Sequence, residues 1–147
     1  MVLLKRYPAI PVNEVNNPNH PKHIMKDNVL NWFELAVDDL PRAKAFYEAI
    51  LNEKLEEVAG SSLPMAIFPY DPMKGVGGSL TKMKEMKPGE GGTIIYLNVE
   101  GDLDGVLSRI PAAGGTVLKG RTDIPPHGFI GIFQDSEGNV VGLHSMA

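Results

Sequence analysis

Cysteine is absent from the 147 residues of the chain. This excludes a disulfide framework, a thiolate nucleophile and a cysteine-ligated zinc or iron–sulfur site. An excess of basic residues is also absent, because 14 Lys and Arg stand against 18 Asp and Glu and leave a formal charge of −4. Nucleic-acid binding depends on basic side chains that face the phosphate backbone, so nucleic acid is not an expected partner.

Long apolar runs are missing as well. No stretch approaches the roughly 20 apolar residues that a membrane-spanning helix needs, so no membrane partner is expected. The apolar residues at the start of the chain precede Lys5 and Arg6. This order is the reverse of that in a secretory signal, and we therefore expect a cytoplasmic protein. Of the whole chain, 43% of the residues are hydrophobic and 22% are charged, which is the composition of a folded globular domain.

The first 28 residues differ in composition from the rest. Four prolines between Pro8 and Pro21 lie among several asparagines, without helical or strand periodicity. We predict an extended arm over residues 1–28 that lies on a surface, such as that of a partner subunit. His20 and His23 have a spacing that could hold a metal on a helix, but Pro21 lies between them and favours two solvated histidines.

An internal repeat organises the remainder, residues 29–147. In the first copy, over about residues 29–81, an alternating strand at residues 32–37 precedes a helix from Pro41 to about Leu51. The apolar residues of this helix recur at i, i+3, i+4 and i+7, which predicts a face packed on a sheet. Shorter strands follow, among them residues 65–68 and 76–80.

The second copy, over about residues 93–147, has the same order after a charged, glycine-rich linker at 82–92. A strand at 94–99 precedes a helix that begins at Leu103 and that Pro111 and the glycines at 114–115 are expected to end. Strands are predicted from Val117 and at 129–133 and 140–144. A turn at 135–139 separates the last two strands, with Gly138 free to adopt positive φ. Each copy thus has the order β-α-β-β-β.

These motifs identify a family resemblance. WFELAVDDL at 32–40, RAxxFYE at 42–48, AGG at 113–115 and DxxGN at 135–139 resemble the glyoxalase, bleomycin-resistance and extradiol-dioxygenase group, the vicinal oxygen chelate superfamily. The resemblance covers residues 29–147. It implies an α+β fold in which two tandem βαβββ modules form a curved mixed sheet around a cavity, often completed by homodimerisation.

In enzymes of this superfamily a divalent metal lies in the cavity, held by His, Gln or Glu from the first and last strands of both modules. The corresponding first-strand positions here are Trp32 and Ile94, and the last-strand positions are assigned to Gly78 and Gly142. None of these side chains can ligate a metal. The usual metal site is therefore not expected, and no cofactor is predicted.

Strand alternation indicates which other side chains face the cavity. If Trp32 points inward, so do Glu34 and Ala36, while Tyr96 shares a face with Ile94 and His144 shares one with Gly142. The candidate ligand-binding residues are Trp32 as a stacking platform, Tyr96, Gly78, Gly142, and His127 on a loop near the cavity mouth.

Glu34 and His144 are the candidate catalytic residues. They could form an acid–base pair, ligate a displaced divalent metal, or simply bond each other or backbone groups as a buried structural pair. Two function classes follow. The first is a homodimeric protein that binds a small organic molecule in its cavity without the usual metal; the second is a lyase, isomerase or dioxygenase-type enzyme that uses Glu34 and His144.

Overall fold

The computed structural model describes residue 30 and residues 32–147. The predicted arm at 1–28, with His20 and His23, lies outside these residues. The described chain contains two βαβββ modules in tandem, each a four-stranded sheet with one helix. The predicted α+β fold is thus confirmed. Within the described part, no helix is both long and apolar enough to cross a membrane.

Module one contains one helix and four strands. Its elements are β1 (Trp32–Ala36), α1 (Leu40–Leu51), β2 (Glu56–Glu57), β3 (Met65–Ile67) and β4 (Gly77–Thr81). The sheet order is β1-β4-β3-β2, with β1 parallel to β4. The helix begins where the Asp39 side chain accepts a hydrogen bond from the Arg42 N–H, and it ends at Asn52 in the left-handed conformation.

Module two repeats this plan. Its elements are β5 (Tyr96–Asn98), α2 (Leu103–Ala113), β6 (Thr116–Asp123), β7 (Phe129–Gln134) and β8 (Val140–Ser145), in the sheet order β5-β8-β7-β6. The prediction that Pro111 and the glycines at 114–115 end α2 is confirmed. Pro111 lies in the final turn of the helix, and Gly114 closes it with a φ of 99°.

The two modules share one hydrophobic core. The helices α1 and α2 pack against each other, and the rings of Phe46 and Tyr47 on α1 approach Phe133 of the second sheet, with centroids 6.0 and 6.4 Å apart. Among the described strands, none of the first sheet is hydrogen-bonded to a strand of the second. Each sheet therefore buries one face under the helices and turns the other away from them.

The turn at 135–139 fastens module two to module one. The Tyr47 hydroxyl donates to the Asp135 carboxylate at 2.8 Å, and the Asn139 amide donates to the carbonyl of Ala36 at 2.9 Å. All four groups are buried, so each would carry a desolvation cost without its partner. Gly138 has a φ of 92°, as its place in the turn predicted. The C-terminal end of β1 is thereby fixed.

A buried carboxylate holds the same junction from the other side. The Glu137 side chain is fully covered, accepts hydrogen bonds from the Asp38 and Asp39 N–H groups at 2.9 and 3.0 Å, and pairs with Arg42 at 2.6 Å. A carboxylate at the N-terminus of α1 also complements the helix dipole. The position of β1 against α1 is therefore set by residues from both modules.

Candidate functional site

The pairing of β1 with β4 shows which residues face away from the helices. Trp32 lies opposite Gly77, and Phe33 lies opposite Gly78. Phe33 packs towards the core, with its ring 5.8 Å from that of Phe68. We call the other side the open face of sheet one; it carries Trp32, Glu34 and Ala36 of β1 and Gly77, Ser79 and Thr81 of β4.

The prediction that Gly78 leaves room beside Trp32 is wrong. A Cβ atom on Gly78 would collide with the Phe33 ring on the helix side of the sheet. Gly77 is the glycine on the open face. Because side chains alternate along a strand, a shift of one residue in the alignment of this glycine pair moves the assigned position to the opposite face.

Backbone hydrogen bonds give the register of the internal repeat directly. The Val37 N–H donates to the Thr81 carbonyl at 3.1 Å, and the Val99 N–H donates to the His144 carbonyl at 3.0 Å. Thr81 therefore corresponds to His144. Counting two residues back, Ser79 of β4 corresponds to Gly142 of β8. The last-strand position assigned to Gly78 belongs to Ser79.

The side chains at the four corresponding positions do not suit a divalent metal. They are Trp32, Ser79, Ile94 and Gly142, and the hydroxyl of Ser79 is buried and hydrogen-bonded to that of Thr81 at 2.8 Å. In the described part of the chain, no group of three or more His, Cys, Asp or Glu residues could hold a metal ion. The residues that the structure describes thus do not fit the metal that the resemblance implies.

Trp32 has an aromatic neighbour that sequence reasoning missed. The Tyr70 ring lies against Gly77 and meets Trp32 edge to face, with centroids 5.8 Å apart and planes at 70°. Both rings are partly exposed, Trp32 by 36% and Tyr70 by 43%. The glycine opposite Trp32 is the one signal in the sequence, because only a residue without Cβ lets a ring lie so close to the strand.

Glu34 lies on the same open face as Trp32, two residues further along β1. It lines a cleft of about 350 Å³, bounded by the free edge of β1, the glycine-rich linker around Gly91 and the apolar residues Ile95 and Val140. Among the described residues, Glu34 makes no hydrogen bond or ion pair shorter than 4.0 Å. Its exposed carboxylate is accordingly available to a ligand.

The open face of sheet two consists of Tyr96 and Asn98 of β5 and Gly142 and His144 of β8. Tyr96 is 45% exposed, and its ring lies against Gly142, where a Cβ atom would collide with it. Tyr96 and Gly142 therefore share a face, as alternation predicted. Their part in ligand binding stays a prediction.

His144 is held by the loop that contains His127. Its Nε2 atom lies 2.8 Å from the carbonyl oxygen of His127, a distance at which a protonated Nε2 donates. The contact uses the backbone of His127, whose side chain is exposed. The imidazole of His144 is therefore oriented, with its second nitrogen free of any hydrogen bond to a described residue.

The structure does not bring Glu34 and His144 together within one chain. No Cα atom of β1 lies within 8 Å of one in β8. No hydrogen bond or ion pair joins their side chains. The direct contact considered from the sequence is therefore not formed, although His144 does bond a backbone carbonyl, that of His127. An acid–base pair would need the two open faces of different chains to meet.

Perturbed pKa values occur at the junction of the modules instead. Burial, followed by the neighbouring Asp135 carboxylate, raises the pKa of Tyr47 well above its ordinary value. Burial alone would raise the pKa of Glu137, but the hydrogen bonds from Arg42, Asp39 and Asp38 outweigh it and lower that pKa. Both groups belong to the hydrogen bonds that connect the two modules.

Comparisons with known proteins agree with this architecture. The sequence model described as Glyoxalase/Bleomycin resistance protein/Dioxygenase superfamily matches residues 29–143. No curated protein gives a significant match. Among solved structures, the hypothetical protein SA1046 from S. aureus is 20% identical, with a TM-score of 0.62, and the match covers 82% of this chain and 95% of that one.

Two further structures carry functional names. A glyoxalase/bleomycin resistance protein from Albidiferax ferrireducens is 20% identical, with a TM-score of 0.60, over 80% of this chain and 98% of that one. A mutant of the fosfomycin resistance protein FosX from Listeria monocytogenes, complexed with Mn(II) and 1S,2S-dihydroxypropylphosphonic acid, is 21% identical, with a TM-score of 0.60, over 84% and 95%. At these identities the likeness shows the fold alone.

Proposed function

Because the chain belongs to the glyoxalase/bleomycin resistance protein/dioxygenase superfamily, we propose that it binds a small organic molecule on the open face of sheet one, without the metal that is usual in this superfamily. The observation that carries this proposal is the partly exposed pair of Trp32 and Tyr70, on the face of β1 that also carries Glu34. Aromatic walls with a single charged group are typical of small-molecule sites.

The side chains at the metal positions support this choice of mechanism. FosX in the solved complex holds Mn(II). In this chain the four positions at which the superfamily resemblance would place metal ligands carry an indole, a bonded hydroxyl, an isoleucine and a glycine. We therefore assign recognition to stacking and to the carboxylate of Glu34, and no step to a metal.

We also propose that two copies of the chain associate. Large apolar side chains outside the pair of Trp32 and Tyr70 are also exposed in the described part of the chain, among them Ile94 and Tyr96, and exposed apolar side chains often mark association sites. Sedimentation velocity of the full chain is expected to give a dimer, and a monomer at every protein concentration up to about 100 μM would contradict this part of the proposal.

Ligand binding can be tested through the single tryptophan, Trp32. Its indole N–H gives one cross-peak in a ¹H–¹⁵N spectrum, which reports contacts at the open face of sheet one. We expect compounds from a library of planar organic molecules to shift this cross-peak in the wild type. The same compounds should bind at least about tenfold more weakly to Tyr70→Ala. Absence of any shift across the library would contradict the proposal.

An enzyme that transfers protons is the second candidate. The observation in its favour is the oriented imidazole of His144, with one nitrogen free of described partners. Such an enzyme would have to pair Glu34 with His144 of the partner subunit. It predicts a reaction that His144→Ala and Glu34→Gln each abolish, although both variants still shift the Trp32 cross-peak with ligand.

A further inference from the structure

We propose that the ligand of the open face of sheet one is an organic cation, whose ring contacts Trp32 and Tyr70 and whose positive charge is recognised by Glu34. This inference rests on the proposed function and names the chemical class of its ligand.

The two rings form an open corner. Trp32 and Tyr70 meet at 70°, so the face of one ring stands beside the edge of the other, and both retain exposed surface. The face of an aromatic ring is electron-rich and attracts a cation within about 6 Å of its centroid. A flat or quaternary cation placed in this corner would contact both π systems at once.

Tyr70 is held in place before a ligand arrives. Its ring rests on Gly77, and the following turn is closed by Asp71, whose side chain accepts from the Met73 N–H at 2.9 Å. The Asp71 carbonyl also accepts from the N–H of Gly75 at 2.9 Å. Pro69 precedes the tyrosine and restricts the backbone further. A ring that is already positioned loses little entropy on binding.

The charges near the corner favour a cation over an anion. Glu34 projects from the same face as Trp32, about 7 Å along the strand, and is exposed without a described partner. Lys74, the lysine nearest to Tyr70 in sequence, is paired with Asp71 at 3.5 Å. Lys87, which lines the cleft, is paired with Asp38 at 3.1 Å. Among the described residues near the corner, Glu34 therefore carries the charge that has no partner and that a ligand would meet.

The test compares three probes of similar shape and different charge at about pH 8. They are the cation 1-methylquinolinium, the neutral molecule quinoline and the anion 1-naphthoate. Binding to the full chain is followed by calorimetry and by the indole cross-peak of Trp32. We expect 1-methylquinolinium to bind at least about tenfold more tightly than the other two, and its affinity to fall as salt is added.

Four variants separate charge from shape. Glu34→Gln should weaken binding of 1-methylquinolinium by about fivefold or more and leave quinoline unchanged. Tyr70→Ala should weaken binding of the cation by about tenfold, whereas Tyr70→Phe keeps the ring and should change the affinity by less than about twofold. Glu53→Gln removes the same charge from an exposed site elsewhere and should change nothing. Circular dichroism checks that each variant is folded.

Two results would overturn the inference. If quinoline or 1-naphthoate binds as tightly as the cation, or if Glu34→Gln has no effect, the assignment of charge is wrong while small-molecule binding at Trp32 stands. If no probe shifts the Trp32 cross-peak and Tyr70→Ala converts a dimer into a monomer, the corner is an interface between copies of the chain. The library screen described above then decides separately whether the proposed function fails.

Discussion

The two open faces share a backbone plan and differ in chemistry. In both sheets an exposed tyrosine ring lies against a glycine of the last strand, Tyr70 on Gly77 and Tyr96 on Gly142. Sheet one adds Trp32 and the unpaired carboxylate of Glu34, whereas sheet two has the oriented imidazole of His144. The repeat therefore preserves hydrogen-bond register while the side chains that meet a ligand diverge, so membership of the superfamily does not fix a reaction.

The arrangement of the two modules depends first on the turn at 135–139, which connects one module to the other. Asp135→Ala should lower the free energy of unfolding by at least about 3 kcal/mol, because the buried Tyr47 hydroxyl and Asn139 amide lose their acceptor. Urea denaturation measures this loss. Ser136→Ala in the same turn is the control: its buried hydroxyl has no partner among the described residues, and the change should stay within about 0.5 kcal/mol. Equal losses would show that the network is not what joins the modules.

The two sides of β4 can be separated by adding one methyl group to each. Gly78→Ala forces the Phe33 ring out of its packing and should cost about 1–3 kcal/mol. Gly77→Ala displaces only the exposed Tyr70 ring and should cost less than about 1 kcal/mol. Thermal unfolding of the two variants measures the difference. A larger loss for Gly77→Ala would place the open face on the opposite side of the sheet.

The same substitution in each module sharpens the comparison of the two faces. Gly77→Ala should weaken the binding of compounds that contact Trp32 by about fivefold, because Tyr70 is moved away from the corner. Gly142→Ala moves Tyr96 on the other sheet and should leave this affinity within about twofold. Titration followed at the Trp32 cross-peak distinguishes them. Equal weakening would mean that one ligand spans both faces.

The smallest effect concerns acid stability at the junction. Hydrogen bonds from Arg42 and from the Asp39 and Asp38 N–H groups outweigh burial and lower the pKa of Glu137. Its contribution to stability is therefore complete above the unfolded value, about 4.3, and is lost as pH falls through the lower folded pKa. Glu137→Gln should flatten the fall in stability below about pH 5.

Urea denaturation at a series of pH values checks this expectation, with Glu53→Gln as the control that keeps the wild-type dependence. Some slope should remain in Glu137→Gln, because hydrogen bonds from Lys54 and Lys44 lower the pKa of Glu48 to about 2. If the stability of Glu137→Gln falls at acid pH as steeply as that of the wild type, the ionised Glu137 side chain is no better stabilised in the folded state than in the unfolded state.

Local chemistry explains which parts of the fold followed from the sequence. Pro41 marked the start of α1, and Gly138 marked its turn, because a first helical turn and positive φ each depend on single residues. The end of α2 was also predictable, because Gly114 can adopt the positive φ of a helix cap and Pro111 lies in the last turn. Gly78 was assigned to the wrong face because two adjacent glycines carry no pattern that fixes register.

The site was less predictable than the fold. Alternation placed Trp32 and Glu34 on one face, and Tyr96 and Gly142 on another, because that period is local to a strand. The contact of Tyr70 with Trp32 depends on the path of a loop, and the periodicity of strand residues does not predict that path. The separation of Glu34 from His144 depends on how two sheets are arranged around the helices, and this also lies beyond strand periodicity.

The most direct test of the account is the response of the Trp32 indole cross-peak to planar organic compounds, first in EDTA and then after the diamagnetic ion Zn²⁺ is added in excess. If the open face of sheet one binds small molecules without a metal, compounds shift the cross-peak in EDTA, and their dissociation constants change by less than about twofold with Zn²⁺. Shifts that appear only with Zn²⁺, and vanish again in Glu34→Ala and His144→Ala, would contradict it.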